Sequence, residues 1–137
     1  MTWKRNIPGL LTDDIRLRVP LDHNNPEDLR TVEIYARLVA VPDGTDKPYL
    51  VFLQGGPGCE SPRPTLRDPG FPGWLARALQ DYQLVLLDQR GTGLSSPVSE
   101  PVGDPVSQAE YLTHLRADEI VEDLSLIHIS EPTRPLY

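Results

Sequence analysis

Two stretches decide the fold: Tyr49-Leu50-Val51-Phe52-Leu53-Gln54-Gly55-Gly56-Pro57-Gly58 and Leu84-Val85-Leu86-Leu87-Asp88-Gln89-Arg90-Gly91-Thr92-Gly93. Each opens on a short apolar run without alternation and breaks into a glycine-rich segment. Such runs, bounded by turn formers, read as strands covered on both faces, the mark of a parallel sheet. Between them Trp74 to Gln80 (WLARALQ) reads as a short helix. Strand, loop, helix, strand is a crossover unit, and such units are right-handed.

Upstream, the pattern changes to a period of two. Ile15, Leu17, Val19 and Leu21 alternate with Arg16 and Arg18, which predicts a half-buried strand ending at an edge position set by Pro20. After the turn formers Asp22 to Asp28, a second strand carries Val32, Ile34, Ala36, Leu38 and Ala40 on one face, with Glu33 and Arg37 on a wet face. The fold class is therefore α/β: an antiparallel N-terminal strand pair leads into a parallel sheet with crossover helices. Downstream, Ser107-Gln-Ala-Glu110 has the spacing of a capping box with Ser107 as N-cap. A helix follows to about Leu115 with Tyr111, Leu112 and Leu115 apolar, and a further helix starts near Asp118 with Ile120 and Val121. No internal repeat or low-complexity segment is present.

The 137 residues fit one domain and carry 13 basic against 20 acidic side chains, a net charge of −7. That balance argues against nucleic acid as a partner, which needs clustered Lys and Arg. No apolar run approaches the roughly 18 residues of a membrane span, and MTWKRNIPGLLTDD lacks the apolar core of a signal peptide. The single Cys59 forms no internal disulfide, which fits a reducing cytoplasm and excludes a disulfide scaffold or a zinc ribbon. The 15 prolines stand well above the roughly 5% average and fall mostly in the loops.

Two segments could carry chemistry. Gln54-Gly55-Gly56-Pro57-Gly58 leaves a strand end. It reads either as a tight turn or as a loop whose backbone N–H groups approach a ligand with no Cβ in the way. Asp88-Gln89-Arg90-Gly91 leaves the next strand end; there Asp88 and Arg90 can pair and buttress a neighbouring loop, while Gly91 and Gly93 permit positive φ. It is no phosphate loop: no Lys precedes the Ser, and no G-x-G-x-x-G is present. Cys59 reads as a small packing residue and His23 as a solvated turn residue. Asp118, Glu119, Glu122 and Asp123 read as a wet helix face rather than a metal site. A local triad of Ser95 or Ser96 with Asp88 and His114 is rejected. Neither serine sits in a nucleophile elbow, and His114 belongs to a helix of the wrong connection.

GGPG after one strand and DQRGTGLS after the next together resemble the prolyl aminopeptidase (proline iminopeptidase) family of α/β-hydrolases. LQGGPGCESPRP (Leu53 to Pro64), YQLVLLDQRGTGLSSP (Tyr82 to Pro97) and YLTHLRADEIVEDL (Tyr111 to Leu124) are most similar to its longer bacterial form. The resemblance covers about Leu11 to Asp123. It implies a serine exopeptidase that releases N-terminal proline from peptides, with no metal or organic cofactor. It also implies that Gly56 supplies an oxyanion-hole N–H and that Gly55 and Pro57 shape the loop. Gln54, Gly58, Asp88, Gln89, Arg90 and Gly91 would support the site. Many relatives carry His where this chain has Gln54, which marks a subgroup. No G-x-S-x-G occurs; in this fold the nucleophile, acid and His follow in that order on later elements, beyond Asp123. The strand Tyr49 to Leu53 would then lie beside the missing nucleophile strand and be left as an open edge. Another hydrolase of the fold (an esterase or epoxide hydrolase) and a non-catalytic hydrolase-like binding protein are the alternatives, and a G-x-S-x-G further along the frame separates enzyme from binding protein. LSLIHISEPTR (Leu124 to Arg134) resembles the translation of a transposase-type sequencing adapter. Residues 1–123 are accordingly expected to be the N-terminal part of the hydrolase domain and 124–137 a non-native tail, in which His128 and Ser130 carry no chemistry.

Overall fold

In the computed structural model, residues 2–55, 58–70, 72–98 and 103–129 are described. They form strands β1 (Lys4–Ile7), β2 (Leu10–Pro20), β3 (Thr31–Ala40), β4 (Tyr49–Leu53) and β5 (Gln83–Asp88), and helices α1 (Leu75–Ala78), α2 (Pro105–Leu112) and α3 (Ala117–Ile129). The five strands make one mixed sheet in the order β1-β2-β3-β5-β4. The pairs β1–β2, β2–β3 and β3–β5 are antiparallel, and β4–β5 is parallel. The α/β class holds.

Register follows side-chain pattern. Ile15, Leu17 and Val19 stand opposite Ala36, Ile34 and Val32, so the two alternating apolar sets share one face. That face carries Val85 and Leu87 of β5, with Leu124 and Ile127 of α3 packed on it. The opposite face carries Val39, Leu84 and Leu86, covered by Leu75 and Leu79 of and beside α1. Strand β5 is therefore buried along its whole length, and each of its leucines contributes about 1.5–3 kcal/mol by leaving water.

Several details differ from the sequence expectation. β1 gives no periodic signal because three of its four residues are exposed; its trace in the sequence is Pro8-Gly9, with Gly9 at φ +78° making the turn into β2. β2 starts earlier than the alternation, at Leu10. The second face of β3 is not wet throughout, since Tyr35 and Val39 are buried: Leu75 and Leu79 cover Val39, and the Arg16 and Arg63 guanidinium groups lie over the Tyr35 ring. β4 departs most: Leu50, Val51 and Leu53 are 38%, 40% and 44% exposed instead of covered on both faces. Among the described residues β4 pairs with β5 alone and forms the sheet's edge. The N-cap of α2 is Asp104, not Ser107. Its carboxylate accepts from the Ser107 N–H and hydroxyl, both at 2.9 Å, with Pro105 just inside the helix, where its missing N–H costs nothing. Leu112 of that helix is exposed rather than packed. α3 continues through Leu124 to Ile129. No helix among the described residues is long and apolar enough to cross a membrane.

Helix α2 buries no residue and is tied down by charge. Arg30 donates to both oxygens of Glu110 at 2.8 Å and to Asp28 at 2.7 Å. Hydrogen bonds from Arg30 hold the Asp28 carboxyl at about 2. The same guanidinium, with His114 behind it, holds Glu110 at about 2. Both groups are depressed, so the bridge is intact above the ordinary carboxylate range and is lost only as pH falls toward 2. A carbon-detected NMR titration of Glu110 should show a midpoint near 2; an ordinary carboxylate midpoint contradicts the bridge.

The edge generates a second expectation. β4 has no charge, proline or bulge to blunt it, the condition under which edges recruit other strands. Size-exclusion chromatography should show self-association of the chain despite its charge of −7. Leu50→Lys, which places a charge on the edge, should restore a monomer. A monodisperse parent chain with a sharp thermal transition contradicts this expectation.

Candidate active site

The carboxyl ends of β4 and β5 lie side by side, in register from Tyr49–Gln83 to Leu53–Leu87, so the glycine-rich segments that follow them emerge together. The site is built where these two segments meet. Gln54 follows β4, and its backbone oxygen accepts from Gln89 Nε2 at 3.3 Å. Gly55 is open to solvent with no atom near where a Cβ would sit, and Gly58 takes φ +125°. Gly56 and Pro57, expected to supply the oxyanion donor and to stiffen the loop, lie outside the described residues.

Asp88 ends β5 and is fully buried. Its carboxylate accepts from the Ser61 N–H at 2.8 Å, from the Leu94 N–H at 2.9 Å and from Arg63 Nη2. It thereby ties the segment after the Gly loop to the segment after β5. Gly93, at φ +51°, lies so close that a Cβ there would run into the Asp88 carboxylate. Gly91 takes φ +82° and turns the chain.

The expected Asp88–Arg90 pair does not form. Arg90 is buried and turns the other way, toward helix α3. Nε and Nη2 donate to Asp123 at 2.8 and 2.7 Å, Nη1 to the carbonyls of Leu21 and His114 at 2.6 and 3.0 Å, and Nη2 to Pro20 O at 2.9 Å. A buried guanidinium needs acceptors for five N–H groups, and one carboxylate already claimed by two amides and Arg63 could not supply them.

His23 is not solvated. Its Nε2 lies 2.7 Å from Asp123 Oδ1, and its backbone N–H donates to Glu119 at 3.1 Å. The acidic face of α3 is likewise only half wet: Asp118 and Glu122 are exposed, Glu119 and Asp123 buried. Asp22, His114 and Glu119 bring ligand-type atoms within 4.8 Å of one another. Arg90 Nη1 stands 4.0 Å from Glu119, so a fixed cation already serves that carboxylate. Cys59 is exposed and packs no core.

The local triad fails on geometry. Ser95 Oγ accepts from the Tyr35 N–H at 2.7 Å and donates to the Asp88 carbonyl, Ser96 Oγ accepts from the Glu33 N–H at 2.9 Å, and His114 Nε2 lies 2.9 Å from Glu110. These serines close the turn onto β3. Sequence reasoning passed over Ser61, Arg63 and Tyr35. Arg63 lies over the Tyr35 ring at 4.9 Å, with Arg16 at 5.0 Å from the same ring. The one signal was a charged residue set between Pro62 and Pro64 beside the Gly loop.

No family model matches the chain. It is 46% identical over 114 residues to a proline iminopeptidase of Aeromonas sobria, covering 80% of this chain and 26% of that protein. It is 36% identical over 126 residues to the proline iminopeptidase aneH of Aspergillus aculeatus, covering 85% of this chain and 26% of the relative. The chain thus spans about a quarter of the length of these curated relatives. Over that stretch the chain is homologous to these two proteins, each named proline iminopeptidase.

Proposed function

We propose that the chain is the N-terminal part of an α/β-hydrolase that releases N-terminal proline from peptides. The observation that carries this is the 46% identity to a protein named proline iminopeptidase. The sheet agrees with it: ligands of open α/β sheets bind at the carboxyl ends of the strands, and both glycine-rich segments emerge there. In this reading a serine attacks the prolyl carbonyl, the peptide amine leaves, and water hydrolyses the acyl-enzyme. The Gly56 N–H stabilises the oxyanion of each tetrahedral intermediate. Asp88 and Gln89 position the loop through Ser61, Arg63 and the Gln54 carbonyl. The serine, acid and histidine belong to the remaining length of the protein. The same reading takes residues 124–137 as adapter-derived, and the single exposed Cys59 fits a reducing cytoplasm.

Two measurements test it. The 137-residue chain should hydrolyse no chromogenic proline amide; enzyme-like turnover that is lost on Ser95→Ala or Ser96→Ala overturns the proposal. In the protein expressed from its complete reading frame, Gly56→Val should cut turnover of that amide by roughly 100–1000-fold, the effect of losing one oxyanion donor, with a much smaller loss of stability. A rate within a few-fold of the parent reduces Gly56 to a turn residue.

A further inference from the structure

The peptide link that leaves β4 has a fixed direction. Just before the strand, the Pro48 carbonyl accepts from the Gln83 N–H of β5 at 2.9 Å. In an extended strand the N–H and C=O groups of alternate residues point to the same neighbour, so Leu50, Phe52 and Gln54 turn theirs toward β5 as well. The pairing of the two strands ends at Leu53–Leu87. Beyond it the Gln89 side chain takes over, and its Nε2 donates to the Gln54 carbonyl at 3.3 Å. A trans peptide is planar, with its N–H opposed to its C=O. The Gly55 N–H therefore points away from β5, to the side on which β4 has no strand neighbour among the described residues.

Val51 and Leu53 turn their N–H groups the same way, but they lie within the strand, where an added strand would pair with them. Gly55 lies past the last strand residue, so strand pairing does not claim it. Among the described residues its N–H has no hydrogen-bond partner. The residue is exposed, and no atom lies within 4 Å of where its Cβ would sit, so a ligand has room to approach. A backbone N–H can only donate, which makes the ligand atom an acceptor. The carboxyl end of the sheet, where this donor stands, is where open α/β sheets bind their ligands.

We propose that the Gly55 N–H is a further donor to the oxyanion of the tetrahedral intermediates, beside that of Gly56, and that Gln89 aims it by holding the Gln54 carbonyl. The assignment rests on the peptidase reading and adds to it the direction from which the site is completed. β5 fills one side of β4, so the reacting serine comes to the Gly loop from the open edge. A donor aimed before the reaction needs no reorganisation as charge develops on the carbonyl oxygen. Gln89 is a positioning residue: it touches the peptide link and not the substrate.

The test uses the protein expressed from its complete reading frame and a chromogenic proline amide. Glycolic acid incorporated in place of Gly55 exchanges this N–H for an ester oxygen and adds no side chain. Turnover should fall roughly 100-fold, the effect of losing one oxyanion donor. KM should change little, because the interaction is made in the transition state, and the unfolding temperature should hold, since the N–H has no protein partner to lose. Gly55→Ala, which keeps the N–H, should lose far less turnover than the ester. Gln89→Glu, which puts an acceptor where the donor stood, should lower turnover about tenfold at little cost in KM, the mark of a donor present but poorly aimed. An ester protein with parent turnover, a loss confined to KM, an ester protein that unfolds several degrees lower, Gly55→Ala as damaging as the ester, or Gln89→Glu with parent turnover each overturns the proposal. A complete protein that hydrolyses no proline amide overturns the peptidase reading, and this assignment with it. Parent turnover that survives the ester overturns the Gly55 assignment alone.

Discussion

Two buried charges, Asp88 and Arg90, stand two residues apart at the end of the central strand, and the arrangement of the surrounding loops depends on their being satisfied separately. Asp88 gathers the Ser61 and Leu94 amides and Arg63. Arg90 gathers Asp123 and the carbonyls of Pro20, Leu21 and His114. Breaking such a pair from one side costs about 3–5 kcal/mol, since it leaves a charge buried without a partner. One residue therefore fixes the loops around the candidate site, and the other fixes helix α3 and the end of β2. Strand β5 can bring both charges to this place because it is buried along its length.

The strand order follows from the same centre. β5 pairs antiparallel with β3 and parallel with β4, so the antiparallel N-terminal unit and the crossover unit share one sheet and two apolar clusters. On the far side β4 has no neighbour among the described residues, although its sequence is that of an interior strand. Leu50, Val51 and Leu53 are exposed there.

Local pattern made the main strands legible. The alternation of Ile15 to Leu21 and Val32 to Ala40, and the unbroken runs at Tyr49 and Leu84, located the second half of β2 and all of β3 to β5, because side-chain period and burial are directly coupled in strands. The turn after β5 was legible, since Gly91 and Gly93 take the positive φ that the pattern suggested. What stayed hidden was partner choice. Nothing in the sequence distinguishes Asp88–Arg90 from Asp88–Arg63 and Arg90–Asp123, whose partners lie 25 and 33 residues apart. His23, placed among turn formers, gave no sign that α3 would bring Asp123 against it. Ser61 was invisible for the same reason: its backbone N–H meets Asp88, 27 residues along the chain.

The proposed reading is that this chain supplies the oxyanion side of a serine hydrolase, with the nucleophile on the remaining length of the protein. Treating it with a fluorophosphonate that labels activated serines, followed by peptide mass spectrometry, tests this directly. The account predicts no labelled serine among residues 1–123, while the protein expressed from the complete reading frame is labelled at one serine beyond them. Labelling of Ser61, Ser95 or Ser96 would contradict it.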